Sequence, residues 1–97
     1  HRFHPRVIPL LDRLAAMLRI LDRPVEIEGH TDGQGTPAAN WRLSARRAQA
    51  VVRFLEEAGR LKTEMLAAAG YGSTRPIQTS GDESVMRRNR RVEVVVY

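Results

Sequence analysis

The chain has 97 residues, no cysteine, a formal charge of +5 and 42% hydrophobic residues. That allows one small domain (residues 1–97) with a single core, and it excludes a disulfide framework or a cysteine-ligated zinc site. The positive charge suits an anionic partner: nucleic acid, an anionic membrane surface or an acidic wall polymer.

No apolar run approaches the roughly 20 residues of a membrane helix, and no charged-then-apolar leader opens the sequence. Any export signal or membrane anchor is therefore expected outside these residues, and the sequence reads as one domain of a longer chain.

Residues from about Pro5 to Leu21 read as a first helix. Leu11, Leu14, Ala15, Leu18 and Leu21 recur at helical spacing, with Arg13 and Arg19 on the other face. Arg23-Pro24 ends it, because proline disfavours helical geometry in the residue before it. Val25-Glu26-Ile27-Glu28-Gly29 alternates strictly, which predicts a strand with one apolar face and one wet, acidic face. Thr31 to Thr36 reads as a loop, with Gly33 and Gly35 permitting unusual backbone angles.

Thr36 and Pro37 form an N-cap and first-turn pair for a second helix reaching about Ala58, with Gly59 placed to stop it. Trp41, Ala45, Ala48, Val52 and Leu55 are expected to form its core stripe, with Asn40, Leu43, Ser44 and Arg47 on a neighbouring polar stripe. Glu64 to Ala69 reads as a short strand broken by Gly70-Tyr71-Gly72-Ser73. Residues 73–86 read as a long loop with one helical turn near Glu83. Arg91 to Tyr97 alternates as a final strand. The expected fold is α+β: a small mixed β-sheet with two main helices packed on one face.

Asp32 directly follows a strand, and Arg47 lies on the polar stripe of the next helix. An arginine fork holds a carboxylate by two parallel hydrogen bonds, and an aspartate accepts from an ammonium. Such a pair fits a zwitterionic amino-acid centre, and the nearby helix N-terminus favours its carboxylate. Spacing alone leaves open an internal salt bridge or two solvated charges.

Other chemistry has less support. His30 has no second ligand at regular spacing, and His1 and His4 make at most a weak pair, so no metal site and no cofactor are expected. Ser44 has no nearby base, and the glycines are too scattered for a phosphate-binding loop. The basic cluster of Arg87, Arg88, Arg90 and Arg91 fits either a solvated strand entry or phosphate contacts. A nucleic-acid reading lacks a stacking platform, since aromatics are only 5%, and nucleic acid is not the expected partner.

Four ordered motifs carry a resemblance. Gly29-His30-Thr31-Asp32, Asn40 with Leu43-Ser44 and Arg47-Ala48, Gly70-Tyr71-Gly72 with Pro76, and Asn89-Arg90-Arg91-Val92 together resemble the OmpA-like peptidoglycan-binding family, which includes OmpA, MotB and Pal C-terminal domains. Asn40-Trp41 with Leu43-Ser44 looks like the MotB type, and Gly35-Thr36-Pro37 like the Pal type.

The resemblance implies a βαβαβ frame, with a first strand reduced to or lost from residues 1–4. It also implies non-covalent binding of meso-diaminopimelate in the peptidoglycan stem peptide. Asp32 would take the ammonium and Arg47 the carboxylate, and Thr31, Asn40, Leu43 and Arg90 would form the remaining wall, with Asn89 tying the loop beside it. It further implies an anchoring rather than enzymatic role in the periplasm, with a membrane reached only through segments outside this chain. A homodimer, or a fold used only to dock a protein partner, stays open.

Overall fold

The computed structural model describes Phe3 and residues 5–32, 34–74 and 90–97. Helix α1 spans Ile8–Leu21, strand β1 Val25–Gly29, helix α2 Pro37–Glu57, strand β2 Leu66–Gly70 and strand β3 Val92–Val96, and a 3₁₀ turn at Thr63–Met65 leads into β2. The expected helical turn near Glu83, and Pro76, Gly33, Asn89, Arg87, Arg88, His1 and His4, lie outside the described residues. So does most of the expected N-terminal strand.

Helix α1 starts three residues later than the sequence reading placed it. Residues 5–7 form a turn, and Pro9, not Pro5, occupies the first helical turn. A proline's missing N–H is harmless only there, so Pro9 fixes the start. At the other end Asp22 takes a left-handed conformation (φ 50°) and donates its N–H to the Leu18 carbonyl at 3.0 Å, so the chain turns before Pro24. Leu11, Ala15 and Leu18 are buried as expected, whereas Leu21 is exposed.

The sheet order is β2-β1-β3. Strand β1 pairs parallel with β2, Val25 opposite Leu66 through Gly29 opposite Gly70. It pairs antiparallel with β3, Val25 opposite Val96 through Gly29 opposite Val92. Val25 and Ile27 join Leu11, Ala15, Leu18, Ala48, Val51 and Leu55 in one core on the helical side. The other face of β1 is not wet: Glu28 is 7% exposed and Glu26 is half-buried beneath Tyr71, whose hydroxyl donates to Glu26 Oε1 at 3.3 Å. Alternation identifies the two faces of a strand but not what covers the second one.

Thr36 caps α2 as expected, its Oγ1 accepting from the Ala39 N–H at 3.1 Å. At the far end Ala58 and Gly59 both donate to the Phe54 carbonyl, and Leu61 to that of Leu55. The left-handed residue there is Arg60 (φ 58°). Gly59 instead permits close approach: a Cβ would lie 2.7 Å from the Leu55 oxygen and 2.8 Å from Ala15 Cβ.

The buried stripe of α2 is Asn40, Ser44, Ala48, Val51 and Leu55, so the expected stripe containing Trp41 and Val52 is displaced around the helix. Trp41 is 53% exposed, which corrects its assignment to the core. The cause is steric. A Cβ on Gly29 would lie 2.0 Å from the Ser44 carbonyl oxygen, and one on Gly70 would lie 2.5 Å from the Ala45 nitrogen. Helix backbone rests almost on strand backbone here, and only small side chains fit between them.

Gly29→Ala is therefore expected to destabilise the domain by at least about 3 kcal/mol, because the obstructing atoms are main chain. Trp41→Ala is expected to change stability by less than about 1 kcal/mol, the behaviour of a surface position, rather than the roughly 3–5 kcal/mol of a buried tryptophan. Urea denaturation of the two variants checks both.

Candidate functional site

The segment His30–Asp32 extends β1 beyond its last sheet residue and is held on both sides. The His30 N–H donates to the Arg91 carbonyl at 2.8 Å and the Arg91 N–H to that of His30 at 3.3 Å. On the β2 side, the Thr31 N–H donates to the Gly72 carbonyl at 2.7 Å and the Tyr71 N–H to that of Gly29 at 3.0 Å. Gly72 adopts φ 57°, a left-handed turn that glycine makes without strain. Its N–H donates to Ser44 Oγ at 2.9 Å, while that hydroxyl donates to the Trp41 carbonyl at 2.9 Å. Ser44 thus ties α2 to the turn after β2. Ser44 has no base for a nucleophile's role; its part here is positioning, and its place among the motifs of the resemblance is the signal in the sequence that points to it.

Asp32 is 5% exposed. Its Oδ1 accepts from the Gln34 N–H at 2.9 Å, closing a local turn of the kind aspartate favours. Its carbonyl accepts from Asn40 Nδ2 at 3.4 Å, which links the loop to the first turn of α2. Its Oδ2 forms an ion pair with Arg90 Nη1 at 2.5 Å. Burial pushes the Asp32 carboxyl upward, but the Gln34 N–H, the Arg90 hydrogen bond and charge, and the Arg47 charge outweigh it, so its pKa lies below the ordinary value. The group is a carboxylate at neutral pH.

Of the expected site residues, Thr31, Asp32 and Asn40 are buried together. Thr31 Oγ1 has no hydrogen-bond partner among the described residues. Leu43 lies on the exposed side of α2, close to one turn beyond Asn40. Arg47 is half-buried and acts on Asp32 through its charge, while lining an apolar groove with Leu14, Val51, Val92 and Val94. The direct ionic partner of Asp32 among the described residues is Arg90, 58 positions away. Two arginines and one aspartate thus converge at the end of β1, giving a locally cationic site that still contains an acceptor for an ammonium.

A sequence model of the OmpA family matches residues 2–90. The chain belongs to the OmpA family. The peptidoglycan-associated lipoprotein of Pseudomonas aeruginosa is 40% identical over 90 residues, covering 93% of this chain and 53% of that protein, so the chain spans about half the length of that relative. Among solved structures, the peptidoglycan-associated lipoprotein from Burkholderia pseudomallei has a TM-score of 0.88 at 29% identity, covering 97% of this chain and 80% of that one. The cell wall anchor of the T6SS from Pseudomonas aeruginosa has a TM-score of 0.86 at 34% identity, covering 97% and 68%. The layered arrangement of two helices on a small mixed sheet is thus the OmpA-family fold.

The depressed pKa of Asp32 fixes a sign for this OmpA-family domain. The carboxylate's stabilising contribution is complete above the unfolded value of about 4 and is lost as pH falls through the lower folded value. Asp32→Asn should therefore be less stable than the parent at pH 7, and the gap should close below about pH 4. Thermal melts across that range read it directly.

Proposed function

We propose that this domain binds peptidoglycan non-covalently, through the meso-diaminopimelate of the stem peptide, and anchors the protein that carries it to the cell wall. The observation that carries the reading is the buried, ionised Asp32 at the end of β1, with the Arg47 charge facing it from α2. Family membership and the names of the relatives support it.

In this reading Asp32 Oδ2 receives the ligand ammonium, because Oδ1 is already engaged by Gln34. Arg90 must yield that oxygen, and its guanidinium then stays beside the ligand's carboxylates. Arg47 holds the carboxylate of the same amino-acid centre as a fork. Thr31 Oγ1, which has no partner among the described residues, offers a hydrogen-bonding group, and Asn40 and Leu43 complete the wall. The extra carboxylate of diaminopimelate, which lysine lacks, matches the excess of arginine over aspartate.

Binding involves no bond-making, and one such contact is weak. Strength comes from many equivalent sites along one polymer and from tethering of the attached protein. No helix among the described residues is long and apolar enough to cross a membrane. We place the domain in the periplasm, joined to the inner or outer membrane by a segment outside this chain.

Asp32→Ala and Arg47→Ala are each expected to weaken binding to purified sacculi by on the order of 1.5–3 kcal/mol, the worth of a charged hydrogen bond. Arg47→Lys should also weaken it, since an ammonium cannot form the planar fork. Co-sedimentation measures the affinity, and circular dichroism verifies that each variant is folded. Normal binding by both alanine variants would sink the proposed pocket.

A further inference from the structure

We propose that Glu28, His30 and Glu93 form a binding site for a divalent transition metal ion, with zinc the best match. His30 Nε2 lies 3.6 Å from Glu28 Oε1 and 3.5 Å from Glu93 Oε2. The three donor atoms all lie within 4.8 Å of one another. A tetrahedral ion with bonds of about 2.0–2.1 Å sets its donors roughly 3.4 Å apart. Two of the three edges are already near that length, and a small rotation of the half-exposed Glu93 side chain adjusts the third.

The sheet holds these groups in place. Glu28 on β1 and His30 in its extension are two residues apart and so project from one face, and Glu93 lies directly opposite Glu28 on β3. This register sets the two carboxylates and the imidazole side by side on one face of the sheet, with Glu28 buried. The His30 ring is fixed by stacking on Tyr71, with centroids 5.4 Å apart and planes at 15°. Arg91 Nε donates to Glu93 Oε1 at 3.0 Å, which turns Oε2 towards His30. A charged neighbour orienting a ligating carboxylate is a recurring feature around metal ligands.

One imidazole and two carboxylates favour zinc and its neighbours over magnesium or calcium, which prefer all-oxygen shells. Sequence spacing concealed the site because its third ligand comes from a strand 63 positions beyond His30 (93 − 30).

The experiment uses protein stripped with a chelator, in a background with His1→Ala and His4→Ala to remove the terminal imidazoles. Zinc is added in calorimetric titrations and in thermal melts, with magnesium in parallel, and cobalt(II) absorption reports the coordination geometry. The site requires one zinc equivalent, a melting temperature that rises with zinc but not magnesium, and low-symmetry cobalt bands. Glu93→Gln, a substitution at a half-exposed position, should lower zinc affinity at least about tenfold and remain folded. Absence of a zinc-dependent melting shift at millimolar zinc, or unchanged affinity in Glu93→Gln, overturns the proposal. Sacculus binding by Glu93→Gln is read separately, so failure of the metal site is distinguishable from failure of the wall site.

Discussion

The near-contact of α2 with the sheet governs this structure. Gly29 and Gly70 meet the Ser44–Ala45 backbone at distances no Cβ could occupy. That approach fixes the rotation of α2 about its axis: Asn40, Ser44 and Ala48 turn inward, Trp41 turns outward, and Arg47 is left at the border between core and solvent. It also brings the Ser44 hydroxyl to the Gly72 N–H, so that the turn after β2, the end of β1 and the start of α2 form one rigid corner. Asp32 sits in that corner. The absence of a Cβ at two strand positions thus positions a charged site as well as packing a core.

The corner shows how a carboxylate can be buried and remain charged. Desolvation opposes ionisation and by itself raises the Asp32 pKa. A backbone N–H from Gln34, a guanidinium from Arg90 and the more distant Arg47 reverse the balance. Each of these groups reaches Asp32 from a different part of the chain: the loop itself, the segment before β3 and the second turn-pair of α2. The ionic character of the site therefore depends on the fold being complete, which a binding surface of solvated charges would not.

Much of this was legible in the sequence, for identifiable reasons. Strand β1 was read with its observed ends because its alternation is strict and Pro24 and Gly29 bound it. The start of α2 was read correctly because Thr36-Pro37 is a local signal that acts through its own backbone. The α1 start was missed because two prolines compete and only the second meets a helical turn. The core stripe of α2 was misplaced because periodicity rewards the largest apolar residue, whereas the helix–sheet spacing admits only the smallest, and that spacing is set by glycines on other elements. The Glu26 and Glu28 face of β1 was read as solvated because alternation carries no information about Tyr71, which bonds Glu26 and stacks on His30. For the site, Thr31, Asp32 and Asn40 were visible through motif and resemblance, but the Asp32–Arg90 ion pair spans 58 positions and only the tertiary fold brings it together.

The outward turn of Trp41 has an optical consequence. It is the chain's only tryptophan, it is 53% exposed, and its neighbour Asn40 reaches into the Asp32 corner. A ring already half in contact with water in the folded state changes its surroundings less on unfolding than a buried ring would. The domain's one tryptophan thus reports on the surface around the start of α2 more than on the packing of its core.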